Sequence, residues 1–233
     1  WVGGKTQIIP DILKHIPSKM DTYYELFLGG GAVLIHLLDL QDKGEIQVNK
    51  FVANDYNSHL INTYIQVKTN VDTVITDLEQ LQIIFQETKE SEPEQKHNVL
   101  DIPDEWCMDD AIIRGRKYLY YYIRKRYNTY VLSDVDRAVY FIFLNRTCFR
   151  GLYRESKHGF NVPYGNYKAP LICDTENLRD LSRLFNKYEV DFRVGDYQNT
   201  NLEDDAFVYL DPPYYPINNT SFTKYVASQD SKD

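Results

Sequence analysis

Apolar residues recur with two different periods along the chain. Ile8, Ile9, Ile12, Leu13 and Ile16 fall at helical spacing, and Pro10 suits a first turn, so residues 8–16 are expected to form a helix. "TYYELFL" (22–28) is an aromatic and aliphatic run that reads as a strand, "GGG" as a tight turn, and "AVLIHLLDL" as a helix. "FVAND" (51–55) reads as a second strand ending in Asp55, with an amphipathic helix beginning near Asn57. Val74, Leu78, Leu81 and Phe85 carry the helical period further. Strand, glycine turn, helix and strand in that order are the βαβ grammar of a doubly wound parallel sheet.

The period then fails. Residues 87–110 are acidic, contain Pro93 and Pro103, and read as a loop or insertion. "AIIRGRKYLYYYIRKRYNTYVL" (111–132) looks helical, and "SDVDRAVYFIFLNRTCF" begins with Ser133 as an expected N-cap. "RESKHGFNVPYGNY" (154–167) is rich in turn formers and suits a hairpin or ordered loop. After a short helix around residues 178–185, "YEVDFRVGDY" and "DAFVYLDPPY" restore the strand pattern. The expected organisation is an α/β domain, residues 1–86 and 171–233, interrupted by an inserted helical and hairpin region, residues 87–170. No internal repeat is visible.

A chain of 233 residues can bury a substantial core, and 20 tyrosines with 11 phenylalanines exceed what a core of this size ordinarily uses. No apolar run approaches the roughly 18 residues of a membrane span, and the N-terminus has no signal-peptide pattern. The reading is a soluble, intracellular protein, cytoplasmic or within a host cell if the source is viral. Cys107, Cys148 and Cys173 form no C-x-x-C pair and have no histidine at ligand spacing, so neither a disulfide framework nor a metal site is expected. The chain opens at Trp1 rather than a methionine and closes on a polar tail, as a fragment or a chain lacking disordered ends would. The net charge of −8 hides a division: residues 114–168 hold 12 Lys/Arg against three acids, a net of +9, which leaves −17 elsewhere. That separation fits a basic face offered to a polyanion as well as it fits scattered solvated charges.

Ligands of open α/β sheets sit beyond the carboxyl ends of the strands, and four expected strand ends here carry glycine or acid: Gly29 to Gly31, Asp55, Asp196 and Asp211. The glycines would let backbone approach a ligand closely, and Asp55 lies near the spacing at which an acid meets ribose hydroxyls. Leu34 stands where G-x-G-x-x-G needs its third glycine, which disfavours a dinucleotide dehydrogenase. In "DPPY" the prolines fix φ and donate no N–H, so the turn presents the Asp211 carboxylate and the Pro212 carbonyl as two acceptors. Two acceptors suit a primary amine, and Tyr214 adds a flat face for a heterocycle. Together they fit the exocyclic amino group of a nucleobase, whereas a bare Asp-Pro turn would merely end a strand.

These segments, in this order, resemble the Dam-type (D12 class) N6-adenine DNA methyltransferases. "WVGGKTQ" is similar to the family's N-terminal W-x-G-G-K, "ELFLGGGAV" to its F-x-G-x-G, "ANDYN" to its acidic strand end and "DPPY" to its catalytic motif. "LNRTCFRGLYRESKHGFNVPYGNYKAP" resembles the target-recognition segment and "SFTKY" the loop after the catalytic motif. The resemblance implies a Rossmann-like S-adenosylmethionine-dependent sheet with an inserted DNA-recognition region. It implies that Trp1, Lys5, Phe27, Gly29, Gly31 and Asp55 hold S-adenosylmethionine, with Asp196 and Tyr197 against its adenine. A target adenine flipped from the duplex, at a few kcal/mol, would be received by Asp211, Pro212 and Tyr214. Its N6 would attack the sulfonium methyl in line, giving N6-methyladenine and S-adenosylhomocysteine. A carboxylate is too weak a base to deprotonate a neutral amine first, so Asp211 is expected to orient N6, with proton loss following from the methylated ammonium. No metal is implied; double-stranded DNA is the implied partner and a monomer the expected state.

In the recognition segment, Arg124, Arg146, Arg150, Arg154 and Lys157 are expected to meet phosphates or guanine edges, Phe149 and Leu152 to wedge into the stack, and Asn161 and Pro163 to shape the loop. Tyr120, Tyr121 and Tyr122 are consecutive and cannot all face DNA. Arg154 matches the family's "GL-x-R" position. Arg150 stands where the family often has Asn, "ESK" follows Arg154 in place of "YN", and Asn166 replaces a frequent Arg, so GATC is one expectation among several targets. The family usually continues beyond "SFTKY" with a helix and strands, so C-terminal strands are expected to be missing from a chain ending at 233. A catalytically impaired DNA-binding module and an N4-cytosine methyltransferase remain alternative readings.

Overall fold

The computed structural model describes residues 8–91 and 100–213. Their first helix, α1 (Ile9–Leu13), is shorter than the apolar spacing implies. Ile16 precedes Pro17, whose ring bars the preceding residue from helical geometry, and residues 14–16 tighten into i→i+3 bonds instead. The chain then enters β1 (Lys19–Glu25), α2 (Ala32–Asp42), β2 (Gln47–Asp55), α3 (Ser58–Thr69) and α4 (Val71–Glu87). Asn57 caps α3 by accepting the amides of His59 and Leu60. After α5 (Met108–Arg114), α6 (Arg116–Thr129) and α7 (Asp134–Thr147) come a short hairpin, β3 (Glu155–Ser156) and β4 (Gly159–Phe160), then α8 (Thr175–Lys187), β5 (Asp191–Val194) and β6 (Phe207–Tyr209). Among the described residues no helix is long and apolar enough to cross a membrane.

Four strands form one parallel sheet in the order β5-β2-β1-β6. The fold is therefore α/β with a central parallel sheet, a Rossmann-like architecture as expected. Tyr23, Phe51 and Phe207 share one face, Tyr23 lying 6.1 Å from Phe51 and stacked 6.3 Å from Phe207. On that face α3 brings Tyr64 against Phe192, and α8 brings Phe185 against the same ring, at 5.3 and 5.0 Å. Tyr24, Leu26 and Val52 form a second buried cluster with Phe27, Ala206 and Val208. Every central strand is apolar on both faces, which is why these segments read as continuous apolar runs rather than alternating ones.

The described residues divide into two compact units, one from those up to Val71 with Thr175–Pro213, the other from those within Asp72–Asp174. The described part of the second unit holds the basic, aromatic stretch. Residues 111–132, which read as one helix, contain α6 and the end of α5, because Gly115 sits at φ +111°, where a Cβ would lie 2.9 Å from the Ser91 backbone. Arg116, the next residue, donates to the carbonyls of Phe85, Gln86 and Thr88 at the end of α4 and to that of Lys168. It closes a helix terminus whose carbonyls have no partner within the helix. Tyr120, Tyr121 and Tyr122 are all buried, so much of the aromatic surplus is core.

Candidate functional site

Within the first unit, side chains at the end of β2 tie its carboxyl end to those of β1 and β5. Gly29 follows β1, and its amide donates to Asp55 Oδ2 at 2.9 Å; the amide of Asn57 donates to Asp55 Oδ1, also at 2.9 Å. The amide of Tyr56 also bonds this carboxylate, which still keeps acceptor capacity for a ligand hydroxyl. Burial pushes the Asp55 carboxyl above the ordinary aspartate range, and the amides of Asn57 and Gly29 oppose the shift. Asn54, one residue earlier and buried, donates to Leu26 O (3.2 Å) and Gly195 O (3.0 Å), joining the ends of β1 and β5 through β2. Asp196 caps a short 3₁₀ turn by accepting the amide of Gln198, and this turn sets the half-exposed Tyr197 ring 5.0 Å from Phe27. Gly31 adopts φ +62°, and a Cβ there would come within 2.8 Å of the Tyr64 hydroxyl, which itself donates to Gly29 O. The glycine turn is thus packed from beneath by α3.

β6 leaves the sheet beside β1. Glu25 pairs in register with Tyr209, Leu26 N donates to Tyr209 O, and two residues later comes Asp211, partly buried, with Pro212 exposed. Phe27, Gly29, Gly31, Asp55, Asp196, Tyr197, Asp211 and Pro212 therefore all stand at one end of one sheet. Trp1, Lys5 and Tyr214, expected to complete the site, lie outside the described residues.

The expected DNA-facing residues belong to the second unit. There α7 ends at Thr147, Cys148 bridges to Tyr164, and the Phe149 amide donates to Pro163 O at 2.8 Å. This pins a turn in which Arg150 takes a left-handed φ of +57° and its guanidinium lies over the exposed Phe149 ring. Arg146, Arg150, Arg154 and Lys157 are exposed, while Leu152 and Asn161 are partly buried. The hairpin sets Arg154 opposite Asn161, whose Oδ1 accepts from the guanidinium Nε at 2.6 Å. Arg124 is placed differently: it donates to Val162 O at 3.1 Å and stacks on Tyr121, and burial lowers its pKa from the usual arginine value. Its position supports the loop from within.

A family model described as D12 class N6 adenine-specific DNA methyltransferase matches residues 1–233. The chain belongs to that family. Among curated proteins, it is 36% identical to the type II methyltransferase M.MjaIII of Methanocaldococcus jannaschii, over 100% of this chain and 75% of the relative. It is 35% identical to the type II methyltransferase M1.LlaDCHI of Lactococcus lactis subsp. cremoris, over 97% and 68%. It is 30% identical to the DNA adenine methylase of Haemophilus influenzae, over 98% and 68%. The chain is thus a D12-class methyltransferase by sequence along its whole length, with the sheet of a methyltransferase.

Three residues of this D12-class site escaped the sequence reading. Asn54 and Glu25 lie within segments expected as strands, and neither they nor Tyr64 were singled out. Glu25 carried a usable signal, since an acid inside an otherwise apolar buried strand needs a partner or a proton.

Proposed function

We propose that the chain transfers the methyl group of S-adenosylmethionine to N6 of an adenine flipped out of duplex DNA, with GATC as the first target to test. The observation that carries this reading is topological. The strand order β5-β2-β1-β6 reverses direction between β1 and β6, and open parallel sheets bind ligands at that point, beyond the strands' carboxyl ends. The glycine turn leaves β1 and Asp211 follows β6, so cofactor-type and amine-type groups flank the same crevice.

The donor set suits S-adenosylmethionine. Asp55 retains acceptor capacity for a ribose hydroxyl, Tyr197 offers a half-exposed aromatic face, and the backbone at Gly195 has open space where a Cβ would stand. Bound there, the cofactor supplies an electrophilic methyl group on a sulfonium. Asp211 and the Pro212 carbonyl would accept from the two N6 hydrogens, favouring the pyramidal nitrogen that transfer requires. The N–C bond would form as the S–C bond breaks, and the proton would leave the resulting ammonium afterwards. In the second unit Arg146, Arg150 and Lys157 would meet phosphates, Phe149 and Leu152 would fill the vacated stack, and Arg154 would read a guanine, worth roughly 1–3 kcal/mol of discrimination.

The test is methyl-labelled S-adenosylmethionine incubated with duplexes of varied sequence, followed by identification of the modified base. N6-methyladenine supports the proposal; label on cytosine N4, or none despite cofactor binding, overturns it. Asp211→Ala is expected to abolish transfer while cofactor affinity persists, and Arg154→Ala to flatten sequence preference by roughly ten- to a hundredfold.

A further inference from the structure

The hairpin of the second unit has an open edge. β3 pairs Glu155 with Phe160 and Ser156 with Gly159, and one step further the Asn161 amide donates to Arg154 O at 3.0 Å. Backbone groups of successive strand residues point to opposite sides, so Phe160 and Val162 turn theirs away from β3 and need partners elsewhere. Side chains of α6 supply them. Asn128 Nδ2 donates to Phe160 O at 2.9 Å and its Oδ1 accepts the Phe160 amide at 2.9 Å, so one side-chain amide pairs with Phe160 as the peptide of a third strand would. The Tyr120 hydroxyl and Arg124 Nη1 both donate to Val162 O, at 2.7 and 3.1 Å. Residues 120, 124 and 128 follow one another turn by turn on one face of the helix, and Phe160 and Val162 alternate along one strand. Gly159 allows the close approach: its φ is +88°, and a Cβ there would stand 2.6 Å from Asn128 Oδ1. Phe160 is buried against Tyr127 and Tyr153, at 6.3 and 5.6 Å. Asn161, between the two buried residues, faces the opposite way, and its Oδ1 holds the exposed Arg154 by Nε.

We propose, on the reading of Arg154 as a residue that meets a base edge, that Asn128 is a positioning residue for sequence specificity. From α6 it sets the height of the hairpin, and so the place at which the Arg154 guanidinium meets the groove. A bidentate pair with a base needs both hydrogen bonds in reach and in line at once, so a supporting contact that loosens by about an ångström forfeits discrimination. Attraction between a guanidinium and a phosphate falls off slowly with distance and survives the same displacement. Tyr120 holds the neighbouring carbonyl from a fully buried position. Asn128, half-buried in the last turn of α6, is where the clamp can be released without opening the core.

The experiment selects bound molecules from a pool of DNA duplexes with a randomised centre and sequences them, for wild type, Asn128→Ala, Gly159→Ala, Arg154→Ala and the Asn128→Ala, Arg154→Ala double variant. Circular dichroism follows the fold of each. Arg154→Ala is expected to lose preference at one base pair of the enriched sequence. Asn128→Ala is expected to lose about tenfold at that same base pair, with the other positions and the affinity for unselected duplex unchanged. Gly159→Ala reaches the clamp from the hairpin side and is expected to do the same, so it carries the test if Asn128→Ala does not fold. In the double variant the change at Asn128 is expected to add nothing, because its effect passes through Arg154. Mere destabilisation would lower the active fraction alike for every sequence and leave the preference intact. A preference at that base pair that survives in either folded single variant at the clamp, or a double variant in which the two losses add, overturns the proposal while the reading of Arg154 stands. A wild type that enriches no sequence, or an Arg154→Ala protein that keeps every preference, removes the reading of Arg154 and the role of Asn128 with it.

Discussion

Individual side chains of this protein are legible in the sequence when their chemistry is conspicuous and illegible when their neighbours define them. Asp55 and Asp211 stood out as acids that end apolar runs, and both lie at the carboxyl end of the sheet. Glu25 and Asn54 matter because of what surrounds them, and those neighbours are distant in sequence: Asn54 joins Leu26 to Gly195, separated from it by 141 positions. Glu25 also has a consequence for stability. Burial pushes its folded pKa up to about 8, above the 4.5 of a solvated glutamate. Between those values the folded protein holds a proton that the unfolded chain releases, so the contribution of Glu25 to stability is greatest below about pH 4.5 and declines until the pH passes 8. The slope is on the order of 1 kcal/mol per pH unit. Relative to wild type, Glu25→Gln is expected to gain stability steadily from pH 5 to pH 8, read as a widening gap between their urea midpoints. A gap independent of pH would mean that Glu25 is ionised in the folded protein.

At the scale of elements, periodicity located the helices and strands well and their ends less well. Ser133 was expected to cap α7, and it does so by accepting the amide of Asp136. The division of 111–132 was missed because Gly115 lies within an otherwise strong helical pattern, and only packing against Ser91 and Lys89 exposes its need for a positive φ. Arg116 was counted among the basic residues suited to a polyanion. It instead spends its guanidinium on the carbonyls that end α4. Arg116→Ala is therefore expected to destabilise the protein by about 2 kcal/mol, since several charged hydrogen bonds vanish and two partly buried carbonyls lose partners. Chemical denaturation followed by far-UV circular dichroism measures this, and a loss below about 0.5 kcal/mol would contradict the capping role. Arg116→Lys should rescue little, because an ammonium cannot span carbonyls in a planar fork.

For the whole molecule, net charge was a poor guide and charge distribution a better one. The +9 of residues 114–168 includes Arg116 and Arg124, both committed inside the second unit, and Arg146, Arg150, Arg154 and Lys157, which are exposed. The exposed group, not the total, should set the salt dependence of DNA binding. Replacing Arg146, Arg150 and Lys157 by glutamine is expected to weaken binding to all duplexes alike. The slope of log affinity against log salt should become shallower by about 0.9 for every phosphate that is no longer neutralised. An unchanged slope would move the electrostatic footprint elsewhere. Sequence alone determined the family and the order of the motifs, because those depend on residue types at short spacing: a glycine turn after a strand, an acid before two prolines, a helix cap before an apolar period. Only the tertiary structure decided which arginines are exposed, that three consecutive tyrosines are core, and that β1 lies between β2 and β6. Strand order and burial arise from contacts between residues far apart along the chain, and local pattern carries no record of which of those contacts form.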